Sequence, residues 1–564
     1  MHINRIKILF RMILLCGTIL YSCGVKKSLN HKPNINNLNS NISDRIKISD
    51  TSFKIDNNFI LKNEHDLWEL KIEGDALERG LIHGSLAREL FEIQEESFLD
   101  KIDELVPSKT WKSVLRHFLA WYNRKIYLNV PNEYKAEIFG LSKYAVDKYD
   151  YIAEKYLRLL YFHGAHDIGH ALQDLALVGC SSFAAWNNKT EDGKLLIGRN
   201  FDFYAGDKFA ENKIVAFINP DNGYKYMSVA WAGMIGVFSG MNEKGLTVTI
   251  NAGKSSIPLS AKTPISLLTR EILQYASNIN EAVNIAKKRK VFVSEAILIG
   301  SSQDNKAVVI EVSPKKFGIY EVENNNQLIC SNHFQSITYD NDRRNNKQIK
   351  ESHSKYRYER MGELIDAKEK LNVKDAISIL RNTKGLKDNN IGYSNEKSLN
   401  HLLAHHSVVF KPNDLKVWVS SNPFQLGEFV CYDLNKIFDE DFKFKEGYSI
   451  AEENLTIAKD SFVDSIDYKN YVQYRILSEK AKKKIENKEY IFKETLNNLK
   501  ELNSDYWEPY FLLGEYYYYT NQYNRSLDAF NIAHSKEIPT ISEKKEIDKY
   551  IKKLNRKLNY DSKD

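Results

Sequence analysis

The chain is poor in cysteine, and this shortage limits how the protein is stabilised. It has 5 cysteines in 564 residues. Two of them, Cys16 and Cys23, lie in the N-terminal segment, which leaves Cys180, Cys330 and Cys431 for the rest of the chain. An exported domain that depends on disulfides carries more cysteines and an even number of them. At least one of these three thiols is therefore free or paired outside the chain.

The chain also lacks strong net charge and any nucleotide-binding loop. The formal net charge is +6, with charged residues making up 27% of the composition. This small excess makes no case for nucleic acid as a partner, and it favours an anionic membrane only weakly. Neither a phosphate-binding glycine loop nor a dinucleotide fingerprint is found. We expect no cofactor, no metal and no nucleic-acid partner.

The N-terminus has no apolar run long enough to cross a bilayer, which needs ~20 residues. A basic start between Arg5 and Arg11 precedes a short apolar run over 13–21, as in a secretory signal. Residues 20–23, Leu-Tyr-Ser-Cys, resemble a lipobox. We predict a lipoprotein signal peptide over 1–22, lipidation of Cys23 and a membrane-anchored location in a bacterial cell envelope, facing periplasm or surface. The alternative is a plain secretory signal with a chance cysteine.

The next segments differ in composition. Residues 26–50 are rich in Asn, Lys and Ser and lack apolar periodicity, which predicts a flexible tether over 23–60. Residues 67–72 alternate as a strand does, and the patterns over 74–95 and 111–177 are helical. We therefore predict a helical propeptide, or α chain, over 61–179.

The pattern changes at Gly179, after which short strands dominate. Residues 263–289 read as helix, with Thr263 as N-cap and Pro264 in the first turn. Strands before and after this helix indicate an α+β layered body over 180–450. The predicted strands are 180–186, 195–199, 213–218, 226–231, 235–241, 246–251, 297–300, 307–312, 317–322, 408–410 and 415–420.

The last segment, 451–564, is predicted as a helical tail. Several of its residues fall close to the tetratricopeptide spacing. In this interpretation Gly514 and Ala533 let two antiparallel helices approach, and Tyr517 and Phe530 fill the space between them. The alternative is an ordinary helical hairpin. Because at least three repeats are normally needed for a free-standing array, we expect the tail to pack on the main body or on a protein partner.

The residues that suggest chemistry surround Cys180, at the junction of the helical and strand regions. They lie in Gly179–Phe183, 198–202, 240–251 and 330–333. In order and spacing they resemble the choloylglycine hydrolase and penicillin V acylase group. They resemble more closely the related acyl-coenzyme A:6-aminopenicillanic acid acyltransferases and N-acylethanolamine acid amidases. The resemblance covers about 67–433, and it implies a four-layer αββα N-terminal-nucleophile hydrolase sandwich.

The mechanism that this resemblance implies has a physical basis. A side-chain nucleophile needs a base, and the α-amino group of a chain that begins at Cys180 serves as one. Such an amine titrates near ~7.7–8.0 and a thiol near ~8.5, so neither is far from its working state at neutral pH. The amine must first be released by autocatalytic cleavage between Gly179 and Cys180. Gly179 suits this cut because it tolerates a strained backbone.

The resemblance also implies roles for residues downstream. Arg199 holds the thiolate, Asp202 binds the new α-amine, Asn332 donates to the oxyanion, and Asn251 completes the oxyanion hole. Each has a structural alternative: a buried strand thiol at Cys180, a surface ion pair between Arg199 and Asp202, and turn residues at Asn251 and Asn332.

A final active-site arginine is implied as well, and Arg357 and Arg360 are both candidates. Asn242 and Gly245 are interpreted as structural residues of a hairpin turn, and Cys330 as a core or near-site thiol.

Two groups of histidines offer other chemistries. His163, His166 and His170 stand at helical spacing beside Asp167 and Asp174, a pattern compatible with zinc, although capping or lining a pocket is the favoured interpretation.

His405 and His406 precede a strand, where one could pair with Cys180 in a papain-like dyad. The sequence context of that family around the nucleophile is absent.

Three functions stay open. The first is hydrolysis of a non-peptide C–N amide, such as an N-acyl amine or N-acyl amino acid, and the second is transfer of the acyl group to an amine. The third is a non-catalytic lipoprotein that uses its helical tail for assembly. Aromatic side chains near the site suit either an apolar acyl group or a core: Phe201, Phe203, Tyr204, Trp231 and Phe238.

Overall fold

The structure is a computed structural model that describes residues 23–105, 108–165, 167, 179–203, 206–256, 258 and 260–561. The predicted signal peptide over 1–22 lies outside these residues. So do Tyr204, His166, His170 and Asp174, and the side chain of Cys23 is likewise not described.

The larger of two sheets has eleven strands in the order β1-β2-β3-β4-β7-β8-β9-β10-β11-β12-β13. Neighbouring strands are antiparallel except β4 and β7, which run parallel. The strands are β1 (Ile46–Ser49), β2 (Ser52–Ile55), β3 (Asn58–Lys62), β4 (Trp68–Gly74), β7 (Ile214–Pro220), β8 (Tyr226–Ala230), β9 (Ser239–Asn242), β10 (Leu246–Ala252), β11 (Glu295–Ser301), β12 (Lys306–Val312) and β13 (Phe317–Tyr320).

The smaller sheet has six strands in the order β14-β5-β6-β15-β16-β17, and every neighbouring pair is antiparallel. The strand that follows Cys180 is therefore central, between two partners. The strands are β5 (Ser181–Ala185), β6 (Leu196–Phe201), β14 (Gln327–Cys330), β15 (His406–Lys411), β16 (Lys416–Ser420) and β17 (Phe429–Asp433).

Helices precede, connect and follow these strands. They are α1 (Cys23–Leu29), α2 (Ala76–Leu86), α3 (Arg88–Leu105), α4 (Lys109–Tyr122), α5 (Asn132–Ser142), α6 (Lys155–His163), α7 (Asp207–Glu211), α8 (Ile265–Tyr275), α9 (Ile279–Lys288), α10 (Arg343–Glu351), α11 (Ser354–Asp366), α12 (Val373–Leu380), α13 (Leu434–Ile437), α14 (Ile466–Glu486), α15 (Lys493–Leu502), α16 (Glu508–Tyr519), α17 (Tyr523–Ser535) and α18 (Ile541–Asp561). Among these described helices, none combines the length and the apolar character needed to cross a membrane.

The two sheets pack face to face and are covered by helices on their outer sides. Because side chains alternate along a strand, Leu298 of β11 faces the inter-sheet core with Val408 of β15, whereas Ile299 faces a second core built with α2, α5 and α8. A third core joins the small sheet to α11 and α12 through residues such as Met361 and Ile377. The predicted αββα sandwich is confirmed by these three apolar layers.

The segment before Gly179 is part of this sandwich. Its strand β4 pairs with β7 from Trp68↔Ile214 to Gly74↔Pro220. Glu137 of α5 accepts hydrogen bonds from Arg270 of α8 at 2.9 and 2.7 Å, and both side chains are buried. Cutting the chain after Gly179 would therefore leave the two pieces joined by a sheet and a buried ion pair.

Two local predictions differ from the structure. The predicted tether over 23–60 is wrong for residues 46–60, which form β1, β2 and most of β3. The polar composition of residues 26–50 hid β1, which is a largely exposed edge strand of only four residues. The predicted N-cap at Thr263 is wrong by one residue, since α8 begins at Ile265 after Pro264. Thr263 Oγ1 instead donates to the Asn129 carbonyl at 3.0 Å.

The tail forms helices α14 to α18. A Cβ at Gly514 would lie 2.7 Å from the Phe530 ring, so glycine lets α16 and α17 approach as expected. Ser526 Oγ donates to the Gly514 carbonyl at 2.7 Å. These contacts describe a tight helical hairpin, and the tetratricopeptide assignment stays a prediction. The tail packs on the body, where Arg475 pairs with Asp207 at 2.8 Å.

Candidate active site

Cys180 lies immediately before the central strand β5 and is only 1% exposed. Its Sγ is 3.9 Å from Nη2 of Arg199 and accepts a hydrogen bond from the backbone N–H of Asp202. Burial raises the pKa of the Cys180 thiol to about 11, although Arg199 acts in the opposite direction. In the uncut chain the thiol is therefore protonated at neutral pH.

Arg199 is fixed by the strands around it. It stands on β6 opposite Ser182 of β5. Its Nη1 donates to the Phe238 carbonyl at 2.9 Å and to Ser239 Oγ, and its Nη2 donates to the Ile250 carbonyl at 2.5 Å. Burial lowers the pKa of Arg199, with the Cys180 thiol opposing that shift. The guanidinium is thus held as a rigid positive group beside Cys180.

Asp202 follows β6 and is completely buried. Neither of its carboxylate oxygens has a hydrogen-bond partner within the described residues. Burial raises the pKa of Asp202 to about 7, against the opposing effect of Arg357 and Arg199. An unsatisfied buried carboxyl is costly, and no hydrogen bond from a described residue offsets this cost at Asp202.

The structure separates the two candidate arginines of α11. Nη1 of Arg357 donates to the Cys180 carbonyl and to Ser181 Oγ, both at 2.8 Å, and its Nη2 donates to Asn332 Oδ1 at 2.6 Å. Arg360 instead donates to Glu363 at 3.0 Å and to Asn382 Oδ1 at 3.2 Å. Arg357 therefore belongs to the site. Its pKa is lowered to about 10 by burial, with Asp202 opposing.

The two predicted oxyanion donors occupy different places. Asn332 is joined to the site through Arg357, and its Nδ2 donates to the Ala252 carbonyl at 3.0 Å. Asn251 lies on β10, where its Nδ2 donates to the Cys330 carbonyl at 3.2 Å and its Oδ1 accepts from Ser182 Oγ at 2.8 Å. In the uncut chain both amides thus donate to protein carbonyls, and their predicted role stays a prediction.

One residue beside the site carries no sequence signal. His401 lies in the loop before β15 and is 2% exposed. A Cβ built on Gly179 would overlap Cε1 of its ring and lie 2.7 Å from Nδ1. That Nδ1 is also 3.7 Å from Asp202 Oδ2. Burial, reinforced by Arg357, lowers the pKa of His401 to about 3, so the ring is neutral.

The predicted histidines that the structure describes, His163, His405 and His406, have structural partners. His163 Nδ1 bonds the Leu159 carbonyl at 2.8 Å, and its Nε2 accepts from Ile235 N at 3.1 Å, so both nitrogens are occupied. His405 Nδ1 lies 2.9 Å from His406 Nδ1, and His406 Nε2 lies 2.7 Å from Ser239 Oγ. This chain leads towards Arg199, and no described hydrogen bond joins either ring to Cys180.

The residues interpreted as structural lie at a turn. Asn242 Nδ2 donates to the carbonyls of Leu273 and Ala276, both at 2.8 Å, and Gly245 has a φ of +69°, a conformation that favours glycine.

Cys330 is completely buried, and this burial raises its pKa well above the usual range. It is therefore a core thiol in the uncut chain.

One set of side chains in the described residues brings ligand atoms close enough to share a metal ion: Glu64, His65 and Glu453. His65 Nε2 is already 2.9 Å from Glu453 Oε2. None of the three contacts Cys180 or its neighbours through a described bond. They are not part of the candidate site.

The aromatic residues predicted near the site fall into two groups, one packed in the core and one lining a pocket. Phe201 stacks on Phe238 with ring centroids 5.1 Å apart, and the Arg199 guanidinium lies 4.4 Å from the Phe201 ring centroid. Phe203 and Trp231 instead line an apolar pocket, together with Phe91 of α3 and other residues of the N-terminal segment. Because Phe203 directly follows Asp202, this pocket lies next to the candidate site and spans both sides of the predicted cut.

One region of the chain matches a known protein family. Residues 186–424 match the family model described as acyl-coenzyme A:6-aminopenicillanic acid acyl-transferase. The match runs from just after β5 to beyond β16 and covers less than half of the chain. The resemblance predicted from the sequence is confirmed over this region.

Individual relatives are distant. An uncharacterized protein of Archaeoglobus fulgidus is 28% identical over 299 residues, 48% of this chain and 48% of that protein. The N-acylethanolamine-hydrolyzing acid amidase of Caenorhabditis elegans is 23% identical over 205 residues, 35% of this chain and 55% of that protein. The chain spans about half the length of these relatives. The solved conjugated bile acid hydrolase of Clostridium perfringens has 16% identity and a TM-score of 0.31, covering 48% of this chain and 98% of that one.

Proposed function

We propose that the protein is a self-processing cysteine amidohydrolase. It would cleave a non-peptide C–N amide, in an N-acyl amine or N-acyl amino acid, through an acyl-enzyme on Cys180. The observation that carries the proposal is the buried carboxyl of Asp202, which has no hydrogen-bond partner in the described residues. A new α-ammonium at Cys180 would supply the missing partner.

The first step is the cut. The Cys180 sulfur attacks the Gly179 carbonyl carbon, the C–N bond breaks, and the thiol proton is transferred to the departing nitrogen. Water then hydrolyses the thioester, giving the Gly179 carboxylate and returning a proton to the thiol. The hydrogen bond from Arg357 to the Cys180 carbonyl, at 2.8 Å, would hold the residue still while its preceding bond breaks.

The second step is turnover. The α-amine takes the thiol proton, because its pKa near ~7.7–8.0 makes it a base at neutral pH. Arg199, with Nη2 at 3.9 Å from Sγ, would stabilise the thiolate. Asn332 would release the Ala252 carbonyl and donate to the oxyanion, with Arg357 fixing the other end of its amide. Asn251 is the second proposed donor.

The substrate would present an apolar acyl group. A small apolar pocket of ≈ 40 Å³ next to Asp202 is lined by Phe91, Phe203 and Trp231 among others, and an apolar acyl chain that entered it would gain free energy by removing this surface from water. The C. elegans relative is named for hydrolysing N-acylethanolamines, which is consistent with this class.

A second candidate function is acyl transfer, since the matching family model is that of an acyltransferase. The same acyl-enzyme would then pass its acyl group to an amine. Location is also part of the proposal: acylation of Cys23 would anchor the protein to a membrane of the cell envelope. The assembled site around Cys180 favours both enzymatic functions over a purely non-catalytic lipoprotein.

The test is product analysis with the purified protein. Incubation with a series of N-acyl amines should release free fatty acid, and the mass of the chain that begins at Cys180 should rise transiently by one acyl group. Adding a competing primary amine distinguishes the two functions, because a transferase forms the new amide. Cys180→Ala is the control and should do neither. Equal turnover by that variant would overturn the proposal.

A further inference from the structure

We infer that His401 is a positioning residue for the cut after Gly179, and that the C-terminal tail holds it in place. This inference rests on the proposed self-cleavage. It assigns a role to a residue that no motif singled out, and to a tail that has no part in the proposed turnover.

The ring of His401 lies directly against the scissile glycine. A Cβ at position 179 would overlap Cε1, and it would lie 2.7 Å from Nδ1 and 3.2 Å from Nε2. All three contacts are to one ring, so His401 forms the wall on that side of Gly179. Only a residue without a side chain fits between this wall and the bond that is to be cut.

The same ring faces Asp202. Its Nδ1 is 3.7 Å from Asp202 Oδ2, and its Nε2 is buried without a hydrogen-bond partner in the described residues. His353 lies edge-on at 6.1 Å between ring centroids. His401 thus lies beside both Gly179 and the carboxyl that the new α-amine is proposed to meet.

The loop that carries His401 is fixed at its base by the body. Asn400 N donates to the Asn382 carbonyl at 2.9 Å, and Asn400 Oδ1 accepts from Leu402 N at 2.9 Å. Leu402 has a φ of +55°, a backbone conformation that is disfavoured for leucine and persists only when the surroundings enforce it. The backbone at His401 is therefore held in one conformation.

The tail supplies the other support. Tyr471 of α14 is completely buried, and its hydroxyl donates to the Leu402 carbonyl at 3.2 Å and lies 2.6 Å from Ser394 Oγ. Leu402 also belongs to the apolar cluster of the tail. The loop is thus held between Asn382, which follows α12, and Tyr471 of α14. In this position the His401 ring contacts Gly179.

In this position His401 restricts the movement of Gly179 during the cut. Attack by Cys180 makes the Gly179 carbonyl carbon tetrahedral, and the reaction needs the carbonyl presented to Sγ at a fixed angle. A neutral ring packed on Gly179 restricts its rotation away from Sγ. His401 exchanges no proton and forms no bond in this scheme.

The experiment is a double-mutant cycle on the rate of processing of the full chain, measured by intact mass after synthesis in a cell-free system. The variants are Gly179→Ala, His401→Ala and the double variant. Each single change should slow processing at least about tenfold, because it disturbs the geometry in which Sγ of Cys180 meets the Gly179 carbonyl. Removing the ring makes room for the new methyl group, so in the His401→Ala background Gly179→Ala should cost at least about tenfold less than in wild type.

Two controls make the cycle specific. Gly362→Ala is the matched glycine substitution, since a Cβ there meets only Ile329 Cδ1, at 3.7 Å, and it should process at the wild-type rate. If His401→Ala does not fold, as judged by its melting temperature in the uncut Cys180→Ala background, His401→Asn replaces it in the cycle and should give the same relief.

The outcomes are distinct. Relief of Gly179→Ala by removal of the ring supports the inference, whereas additive losses, or wild-type processing by His401→Ala, overturn it and leave the proposed self-cleavage intact. A wild-type chain that remains uncut while hydrolysing amides would instead refute the proposed self-cleavage, and this inference with it.

Discussion

The unpaired carboxyl of Asp202 gives a prediction about the stability of the uncut chain. In the Cys180→Ala background, which cannot cleave, Asp202→Asn should stabilise the protein, and more at pH 8 than at pH 5. The reason is that Asp202 is buried without a hydrogen-bond partner in the described residues, and its pKa is raised to about 7 from the ordinary 3.8. Asparagine fills the same volume without an ionisable group.

The sign and size follow from proton linkage. When the pKa of an acid is higher in the folded state than in the unfolded state, the unfolded state loses its proton first as the pH rises. The free energy of unfolding therefore falls as the pH rises from the unfolded pKa to the folded pKa. At about 1.4 kcal/mol per pKa unit, ionisation of Asp202 costs the folded chain about 4 kcal/mol above pH 7, and less than half of that at pH 5. Asp202→Asn should therefore gain roughly 3 kcal/mol more at pH 8 than at pH 5.

The assay is urea unfolding of both proteins at the two pH values. Asp221→Asn, the same substitution at an exposed position, is the control, and the change that it causes in the free energy of unfolding should be the same at both pH values. A gain from Asp202→Asn that does not depend on pH, or a loss at pH 8, would refute the reasoning, because Asp202 would then already have a partner in the uncut chain.

Four further predictions concern activity, processing and location. Arg357→Ala should lower kcat ~100-fold or more, because it loosens the proposed oxyanion donor Asn332. Arg360→Ala should keep a kcat within a few-fold of wild type. Equal losses of kcat in steady-state assays would contradict the assignment of Arg357, rather than Arg360, to the site. Asn332→Ala should yield cut protein with a kcat reduced ~100-fold and little change in KM, and an unchanged kcat would exclude its proposed role. Tyr471→Phe should slow processing several-fold by freeing the His401 loop, and wild-type processing in a time course would argue against support by the tail. Cys23→Ser should move the protein from the membrane to the soluble fraction, and soluble wild-type protein would contradict the anchor.

The central part of the site was predictable because its residues stand at recognisable places in the pattern. Cys180 begins a strand just where the helical pattern ends, and Arg199 and Asp202 end the next strand of the same sheet. Antiparallel pairing of consecutive strands then brings the three together. The order of strands, then helix, then strands again indicated the layered fold, and β10, β11 and β12 are buried along almost their whole length.

Two features of the site could not be predicted from the sequence because they depend on tertiary contacts. Arg357 and Arg360 are three residues apart on one helix, so periodicity places them on nearly the same face; only the contact with Cys180 separates them. His401 lies in a loop without any periodic pattern, and its position is set by Asn382 and by the distant Tyr471 of the tail.

The edge strand β1 was missed for a different reason. It has only four residues and follows a polar stretch rich in Asn, Lys and Ser, so its short pattern does not stand out from a tether. Its pairing with β2 is local, with Ile46 opposite Lys54 and Ser49 opposite Ser52.

The most direct test of the account is the identity of the chain termini in active protein. Intact-mass measurement and N-terminal analysis of purified, fully active wild-type protein should find two chains, the second beginning at Cys180 and the first ending at Gly179. Cys180→Ala should give one uncut chain. A single uncut wild-type chain with full amidase activity would contradict the central claim, because no free α-amine would then exist to activate the thiol.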